Sequence, residues 1–298
     1  MKRKSKTLQD IRKKRICKLI KMNNYDITHY KKILDDLLKK PLIKQRTPEW
    51  FKLREDRLTA SDLGDAIKNP VSLARKKLKG NTFISSSIPA LKWGTMYEAM
   101  AIRIYSNQKK TKVHEFGLII NDDIKNFGAS PDGITDEGIM IEIKCPYTRQ
   151  IIDGKIPEKY YYQMQGQLAV CKLNKCEYIE CEFIQFEDEE EFLIETNKIK
   201  DIYLYGIIAE KKNKTEYDYI YSSDGQNNIQ DINEMKKYES SGYKLNYWKL
   251  KNINIQEVSF DENDWNSVIK NKIEIYNDIY LKEKESHKSI NMFINDDE

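Results

Sequence analysis

The sequence predicts an α/β protein, a mixed β-sheet with helices on its faces. Three observations support this. The apolar pattern changes period repeatedly along the chain, from residues three and four apart to residues two apart. Residues 92–108 form the clearest helix, with Trp93, Met96, Tyr97, Met100, Ala101 and Ile104 along one face. Residues 130–146, SPDGITDEGIMIEIKCP, then read as turn, strand, tight reversal and strand.

Taken in order, residues 1–22 suit a basic helix and 27–40 a more amphipathic one, using Ile27, Tyr30, Ile33, Leu37 and Leu38. Thr47-Pro48-Glu49 opens the next helix: Thr caps, Pro fits the first turn, and Glu49 lies near the free amides. The pattern breaks at Leu58–Asp62, a second helix runs to Ile67, a short basic one covers 71–79, and 80–90 is a loop. Gly94, one turn before Glu98, leaves room for another element or a ligand. Val113–Ile120 is strand-like, with Asn121-Asp122-Asp123 as a turn. His29 and His114 have no companion ligands and read as structural or exposed. Residues 158–170 are helical, with Tyr160, Gln163 and Gln167 on one side, and Cys176–Phe186 is a strand. A helix is expected around 197–211, then a polar surface excursion, YSSDGQNN. Residues 247–250 and 253–260 are strands, and 264–284 is a last amphipathic helix.

Composition narrows the class. The 298 residues are 33% charged and 40% apolar, enough for one or two domains with a good core. No apolar run approaches the ~20 residues of a membrane helix, and no apolar segment follows the basic start, as a signal peptide requires. Five cysteines, Cys17, Cys145, Cys171, Cys176 and Cys181, suit a reducing, intracellular compartment better than a disulfide framework. Residues 1–44 hold 15 Lys/Arg against 4 Asp/Glu, whereas the remainder holds 36 against 43. A basic arm on a mildly acidic body suits a polyanion such as nucleic acid; it equally suits a solubilising tail.

The candidate chemistry centres on residues 130–146. Alternation puts Glu142 and Lys144 on one face of a strand, roughly 6–7 Å apart, and Ile141, Ile143 and Cys145 on the other. Asp132 arrives from a turn ten residues upstream of Glu142. Two acids and a lysine so placed can hold a divalent metal beside the water it activates. Taken alone, they also describe a solvent-facing ion pair and an ordinary turn aspartate. Ser61 stands near a helix start, where free amides favour an anion, and Arg54 can turn its guanidinium to the same place. The plainer alternatives are a simple cap and a surface arginine.

Five passages then occur in order: TPEWFKLREDRLTASDLG (47–64), WGTMYEAMA (93–101), ASPDG (129–133), IEIKCP (141–146) and YYQMQGQLAV (161–170). Together they resemble the PD-(D/E)XK nuclease superfamily, and within it the YqaJ-type viral recombinase exonucleases, relatives of the phage lambda exonuclease. The resemblance covers about residues 46–186. It implies a restriction-endonuclease-like core, a central mixed sheet flanked by helices. It divides the chain into a basic helical extension (1–45) and a nuclease domain (46–298) with an insertion around 192–246.

By that resemblance Asp132 and Glu142 are metal-binding carboxylates, with the Ile143 carbonyl as a further ligand. Lys144 orients the nucleophile or stabilises charge, Glu98 is an upstream acid near the metals, and Gln163 supports them. Asp122 falls where some members carry an extra acid, with Asp123 as the adjacent choice. Arg54 and Ser61 correspond to groups that grip a 5′-phosphate. The implied cofactor is Mg²⁺, with Mn²⁺ as substitute and two ions in the site. The implied activity is 5′-to-3′ degradation of duplex DNA from a 5′-phosphorylated end, leaving a 3′ single strand for an annealing protein in recombination or repair. The resemblance points to a viral replication setting, and ring-shaped trimers among relatives make a homo-oligomer one expected assembly.

An iron–sulfur cluster, found in some relatives, needs four converging thiolates. Cys176 and Cys181 point to opposite faces of their strand, so no cluster is expected. A structure-selective or nicking endonuclease with the same metal site is the nearest rival, and a catalytically inactive DNA-binding protein is the other.

Overall fold

The computed structural model describes residues 25–80, 88–214, 216–223 and 227–295, with side chains as far as residue 286. The expected helix at 1–22 and Cys17 lie outside the described residues, as do 81–87 and part of the YSSDGQNN excursion.

Helix α1 (Ile27–Leu38) is capped by the Asp26 side chain. It rests on the body through buried Leu34 and Leu37, and the Tyr25 hydroxyl donates to the Gly138 carbonyl at 2.9 Å. Helix α2 (Pro48–Glu55) starts as expected, with Thr47 Oγ1 accepting from the Trp50 amide. After strand β1 (Leu58–Thr59) and one 3₁₀ turn come α3 (Leu63–Lys68) and α4 (Pro70–Leu78). Helix α5 (Pro89–Lys109) is the longest before the C-terminus and buries Met96, Tyr97, Met100, Ala101, Ile104 and Tyr105. A Cβ on Gly94 would meet nothing within 4 Å, so the room expected there is open and no other element of the described residues fills it.

The stretch expected as one strand over Val113–Ile120 is two short ones, β2 (Val113–His114) and β3 (Ile119–Ile120), which belong to different sheets. Strand β4 (Phe127–Ala129) follows, then the expected hairpin of β5 (Gly133–Thr135) and β6 (Met140–Lys144). Gly138 turns that hairpin at φ 75°, a conformation glycine adopts without strain, and Tyr30 packs so close that a Cβ would not fit. Helix α6 (Glu158–Cys171) leads into β7 (Lys175–Gln185). The acid run opens helix α7 (Glu189–Thr196), capped by Asp188, where negative charge complements the free amides.

The helix expected around 197–211 is instead a 3₁₀ turn followed by strand β8 (Tyr205–Asn213). Tyr205–Glu210 is buried on both faces, so its apolar residues run together rather than alternate, and a short run of that kind does not distinguish strand from helix. Strand β9 (Glu216–Tyr221) and helix α8 (Asn228–Met235) follow. The two strands expected at 247–250 and 253–260 are one, β10 (Lys244–Ser259), irregular between Leu250 and Asn252. A short turn, a π-turn over Trp265–Ile269 and helix α9 (Lys270–Asn295) complete the described chain.

The main sheet has seven strands in the order β2-β5-β6-β7-β10-β8-β9, and β1, β4 and β3 form a small second one. Strands β6 and β7 run parallel while every other neighbouring pair of the main sheet is antiparallel. Helix α5 covers one face, where Tyr97 stacks on Phe183 at 4.4 Å and Trp248 is sealed beneath. Helices α1, α3, α4, α6 and α9 cover the other. A third core, around Phe192, Ile207 and Met235, lies between α7, α8 and the β8–β10 end. Cys145 and Cys181 belong to the α5 core, and Cys171 and Cys176 to the opposite one. Among the described residues no helix is long and apolar enough to cross a membrane.

Candidate active site

The site lies at the open ends of β5 and β6. Glu142 and Lys144 leave β6 toward α6, while Ile141 and Ile143 join the α5 core. Glu142 is fully buried. Its Oε1 accepts from Lys144 Nζ and from Gln163 Nε2 at 2.7 Å, and its Oε2 accepts from Gln167 Nε2 at 2.7 Å. Both carboxylate oxygens are thus satisfied, as a buried charge requires. Lys144 also lies 5.0 Å from the centroid of the Tyr160 ring. Burial works against the lysine's charge, but Glu142 and Asp132 outweigh it and hold its pKa above the ordinary lysine value.

Asp132 sits in the bend before β5, and its Oδ2 accepts from the Ile143 amide at 2.7 Å. That bond fastens the turn to β6 and brings the two acids together. Burial, then Glu142, then Glu98 push the Asp132 carboxyl well above the usual range, against the pull of Lys144. Glu98 reaches in from α5 and is itself paired with Arg46, Nη2 to Oε2 at 2.6 Å. Asp122 stands apart: its carboxylate is 61% exposed and meets Lys172 at 3.4 Å and Lys40 at 4.0 Å. No contact among the described residues joins Asp122 to Asp132 or Glu142.

These donors match a hard divalent cation in kind, since Asp132 and Glu142 offer carboxylate oxygen. Crowding strong enough to raise Asp132 is also a condition that a bound cation relieves. Among the described residues, however, no three acidic, histidine or cysteine side chains already converge as ligands. Glu142 is held by Lys144 and two glutamines, Asp132 by the Ile143 amide, and Glu98 by Arg46. An ion bound by these carboxylates would have to exchange with these partners.

A second group lies nearby. Arg54 Nη2 donates to Ser61 Oγ and to Thr59 Oγ1, each at 3.2 Å, and the two hydroxyls are 3.0 Å apart. Thr59 Oγ1 donates to Asp62 Oδ2 at 2.7 Å, and Lys77 Nζ lies 2.9 Å from the same oxygen. Burial lowers the Arg54 pKa, partly offset by Asp62. A guanidinium hydrogen-bonded to hydroxyls, beside the exposed Ser61 at a helix start, can meet an anion. The Trp50 ring supports it, with Arg54 Cζ 4.2 Å from the ring centroid. Trp50 Nε1 donates to Ser130 Oγ at 3.1 Å, linking this group to the turn that carries Asp132.

The structure thus gathers Glu98, Asp132, Glu142, Ile143, Lys144 and Gln163, joins Arg54 to Ser61, and leaves Asp122 outside. Sequence reasoning set Gln167 on the Gln163 side of its helix and Ser130 in the turn, but gave no site role to these two, to Trp50 or to Arg46. Gln167 lies one helical turn after Gln163, and Trp50 one turn before Arg54, so spacing alone pointed to both. Arg46 gave no such signal, because its position follows from an unusual backbone, φ 67°.

Comparison with known proteins finds similarity over the part of the chain that carries both groups. Residues 49–174 match the profile of the YqaJ-like viral recombinase domain. An uncharacterized protein of Acanthamoeba polyphaga mimivirus is 30% identical over 189 residues, 56% of this chain and 34% of the relative. The chain therefore spans about a third of the length of that curated relative. The crystal structure of an alkaline exonuclease from Laribacter hongkongensis shares the fold, with a TM-score of 0.51 at 21% identity, over 83% of this chain and 100% of that one. The same exonuclease in complex with dAMP matches to the same extent. The stretch similar to the YqaJ-like viral recombinase domain, residues 49–174, holds every member of the two side-chain groups except Arg46.

Proposed function

We propose that the chain is a divalent-metal-dependent deoxyribonuclease that degrades one strand of duplex DNA from a 5′-phosphorylated end in the 5′-to-3′ direction. The product is a 3′ single-stranded tail for an annealing protein to use in recombination. The observation that carries this is one turn serving two groups. Ser130 meets Trp50, which backs the Arg54–Ser61 anion pocket, and Asp132, two residues on, meets the Glu142–Lys144 strand.

In this reading Asp132 and Glu142, with the Ile143 carbonyl, hold Mg²⁺, and Mn²⁺ substitutes for it. Glu98 contributes to a second ion. When bound by these residues, the ions would activate a water and offset charge on the phosphoryl oxygens. Gln163 and Gln167 fix the Glu142 carboxylate through both oxygens. Lys144, released from Glu142, keeps its proton and donates toward the reacting phosphate. Arg54 and Ser61 bind the terminal 5′-phosphate, which sets the direction of digestion.

Digestion of a duplex labelled differently at each end, in Mg²⁺, with 5′-phosphate and 5′-hydroxyl forms compared, tests this. Loss of the 5′ label first, faster for the phosphorylated form, is expected. Loss of the 3′ label first rejects the direction, cutting of closed circular duplex rejects the requirement for an end, and undiminished cleavage by Glu142→Ala rejects the site.

A further inference from the structure

Arg46 lies just outside the family match, yet its guanidinium reaches the acid cluster. Its side chain is 47% exposed, and one end meets Glu98 Oε2 at 2.6 Å. Burial opposes its charge, but Glu98, Asp132 and Tyr221 together hold its pKa above the ordinary arginine value. The backbone at Arg46 is left-handed, φ 67°, which is uncommon for a residue with a Cβ. Both flanks impose it. Gln45 Nε2 donates to the Phe116 and Pro131 carbonyls at 2.9 and 3.1 Å, and Thr47 Oγ1 donates to the Lys44 carbonyl at 2.9 Å. An unfavourable backbone held on both sides so that one cation reaches one carboxylate is a reason to look for function there.

We propose that Arg46 exchanges partners during the reaction: it neutralises Glu98 in the metal-free protein and, once a divalent cation takes Glu98, binds a backbone phosphate of the DNA. This rests on the nuclease reading above. Three acids share the site with Lys144 and Arg46 as the nearby cations, so an incoming ion competes with Arg46 for Glu98. An arginine with a half-exposed side chain, once released from a carboxylate, presents a planar fork suited to phosphate. Cation and DNA then strengthen each other's binding, because each favours the same displaced arginine.

The test uses the full chain with Arg46→Gln and Arg46→Gly; the glycine variant keeps the left-handed backbone without strain. Mn²⁺ binding is measured by titration calorimetry without DNA. Binding of a 5′-phosphorylated phosphorothioate duplex, which resists hydrolysis, is measured with and without Mn²⁺ across a salt series. Both variants are expected to bind Mn²⁺ about two- to five-fold more tightly than wild type, the value of a partly exposed ion pair. In Mn²⁺ their duplex affinity falls on the order of tenfold, and the slope of log affinity against log salt decreases by about one phosphate's worth. Equal or weaker Mn²⁺ binding by both variants overturns the exchange, since a merely structural arginine leaves the ion site unchanged or worse. Tighter Mn²⁺ binding with unaltered duplex affinity overturns the phosphate contact. If the wild-type chain binds neither Mn²⁺ nor duplex, the nuclease reading itself fails and the inference fails with it.

Discussion

Gln167 Nε2 lies 2.7 Å from Glu142 Oε2 and 3.4 Å from the Ser130 carbonyl oxygen, so one buried amide spans the β6 glutamate and the turn that carries Asp132. Gln167→Leu keeps the volume but leaves Glu142 Oε2 buried without a donor. We expect a loss of about 1–3 kcal/mol in unfolding free energy by urea titration. Cleavage should fall about 10–100-fold, as when a supporting partner of a metal ligand is removed. Gln167→Glu sets a second carboxylate against the first and should be worse on both counts. Wild-type stability in Gln167→Leu would show that the amide does not carry the Glu142 charge.

The Arg54 group makes a prediction about ends rather than rate. A hydrogen bond to a charged partner contributes about 1.5–3 kcal/mol, so Arg54→Ala should reduce the preference for 5′-phosphorylated over 5′-hydroxyl duplex by about 10–100-fold. Arg54→Lys keeps the charge but loses the fork and the stacking on Trp50, and should fall between. Comparing kcat/KM on the two substrates reads this directly. An unchanged ratio in Arg54→Ala would remove the phosphate-binding role while leaving the Glu142 site untouched.

How much of this was legible follows from which residues depend on local pattern. The β5–β6 hairpin, α5, α6 and α9 follow from periodicity, Glu142 and Lys144 from strand alternation, and Asp132 from the turn before the hairpin. The Arg54–Ser61 contact was foreseen because a helix start and an arginine seven residues earlier are both local features. Strand β8 was read as a helix because burial on both faces erases alternation. Strand β4 was missed because three residues, Phe127–Ala129, are too short to show a period. Arg46 was invisible because its backbone is set by Phe116 and Pro131, about 70 and 85 positions away. Asp122 was placed by the resemblance, ten residues before Asp132, and lies instead at the surface beside Lys172.

Asp62 supplies a prediction in pH. Burial opposes its charge, but Lys77 and the Thr59 hydroxyl outweigh it and hold the folded pKa below the ordinary value. A depressed folded pKa means the full contribution is present at neutral pH, above the unfolded value of about 3.9. As pH falls below that value the unfolded chain takes up its proton first, so the contribution shrinks and is gone once the folded carboxyl is also protonated. Asp62→Asn should therefore lower Tm at pH 7 and leave a smaller difference from wild type at pH 3. Thermal melts at the two pH values check it, and equal differences would show that Asp62 does not titrate between them.

The segment that delivers Arg46 is pressed against the body at Gly117. A Cβ built there would collide with the Ile43 carbonyl oxygen and meet the Ile43 carbonyl carbon at 2.9 Å, both backbone atoms that no rotamer change moves. Gly117→Ala must therefore shift the chain around Ile43, and with it the Gln45 bonds to Phe116 and Pro131. Forcing even small groups into such contacts costs about 1–3 kcal/mol, and more where backbone is the obstacle. We expect at least that loss by urea denaturation, with m unchanged if folding stays two-state. The same displacement loosens Arg46 from Glu98, so Mn²⁺ binding by Gly117→Ala should move toward that of Arg46→Gln. Glycine at 94 is the control, because a Cβ there meets nothing within 4 Å. Gly94→Ala should raise stability by up to about 1 kcal/mol through helix propensity. If Gly117→Ala matched Gly94→Ala in stability, the packing of residues 43–47 against the body would be looser than the Ile43 contact implies.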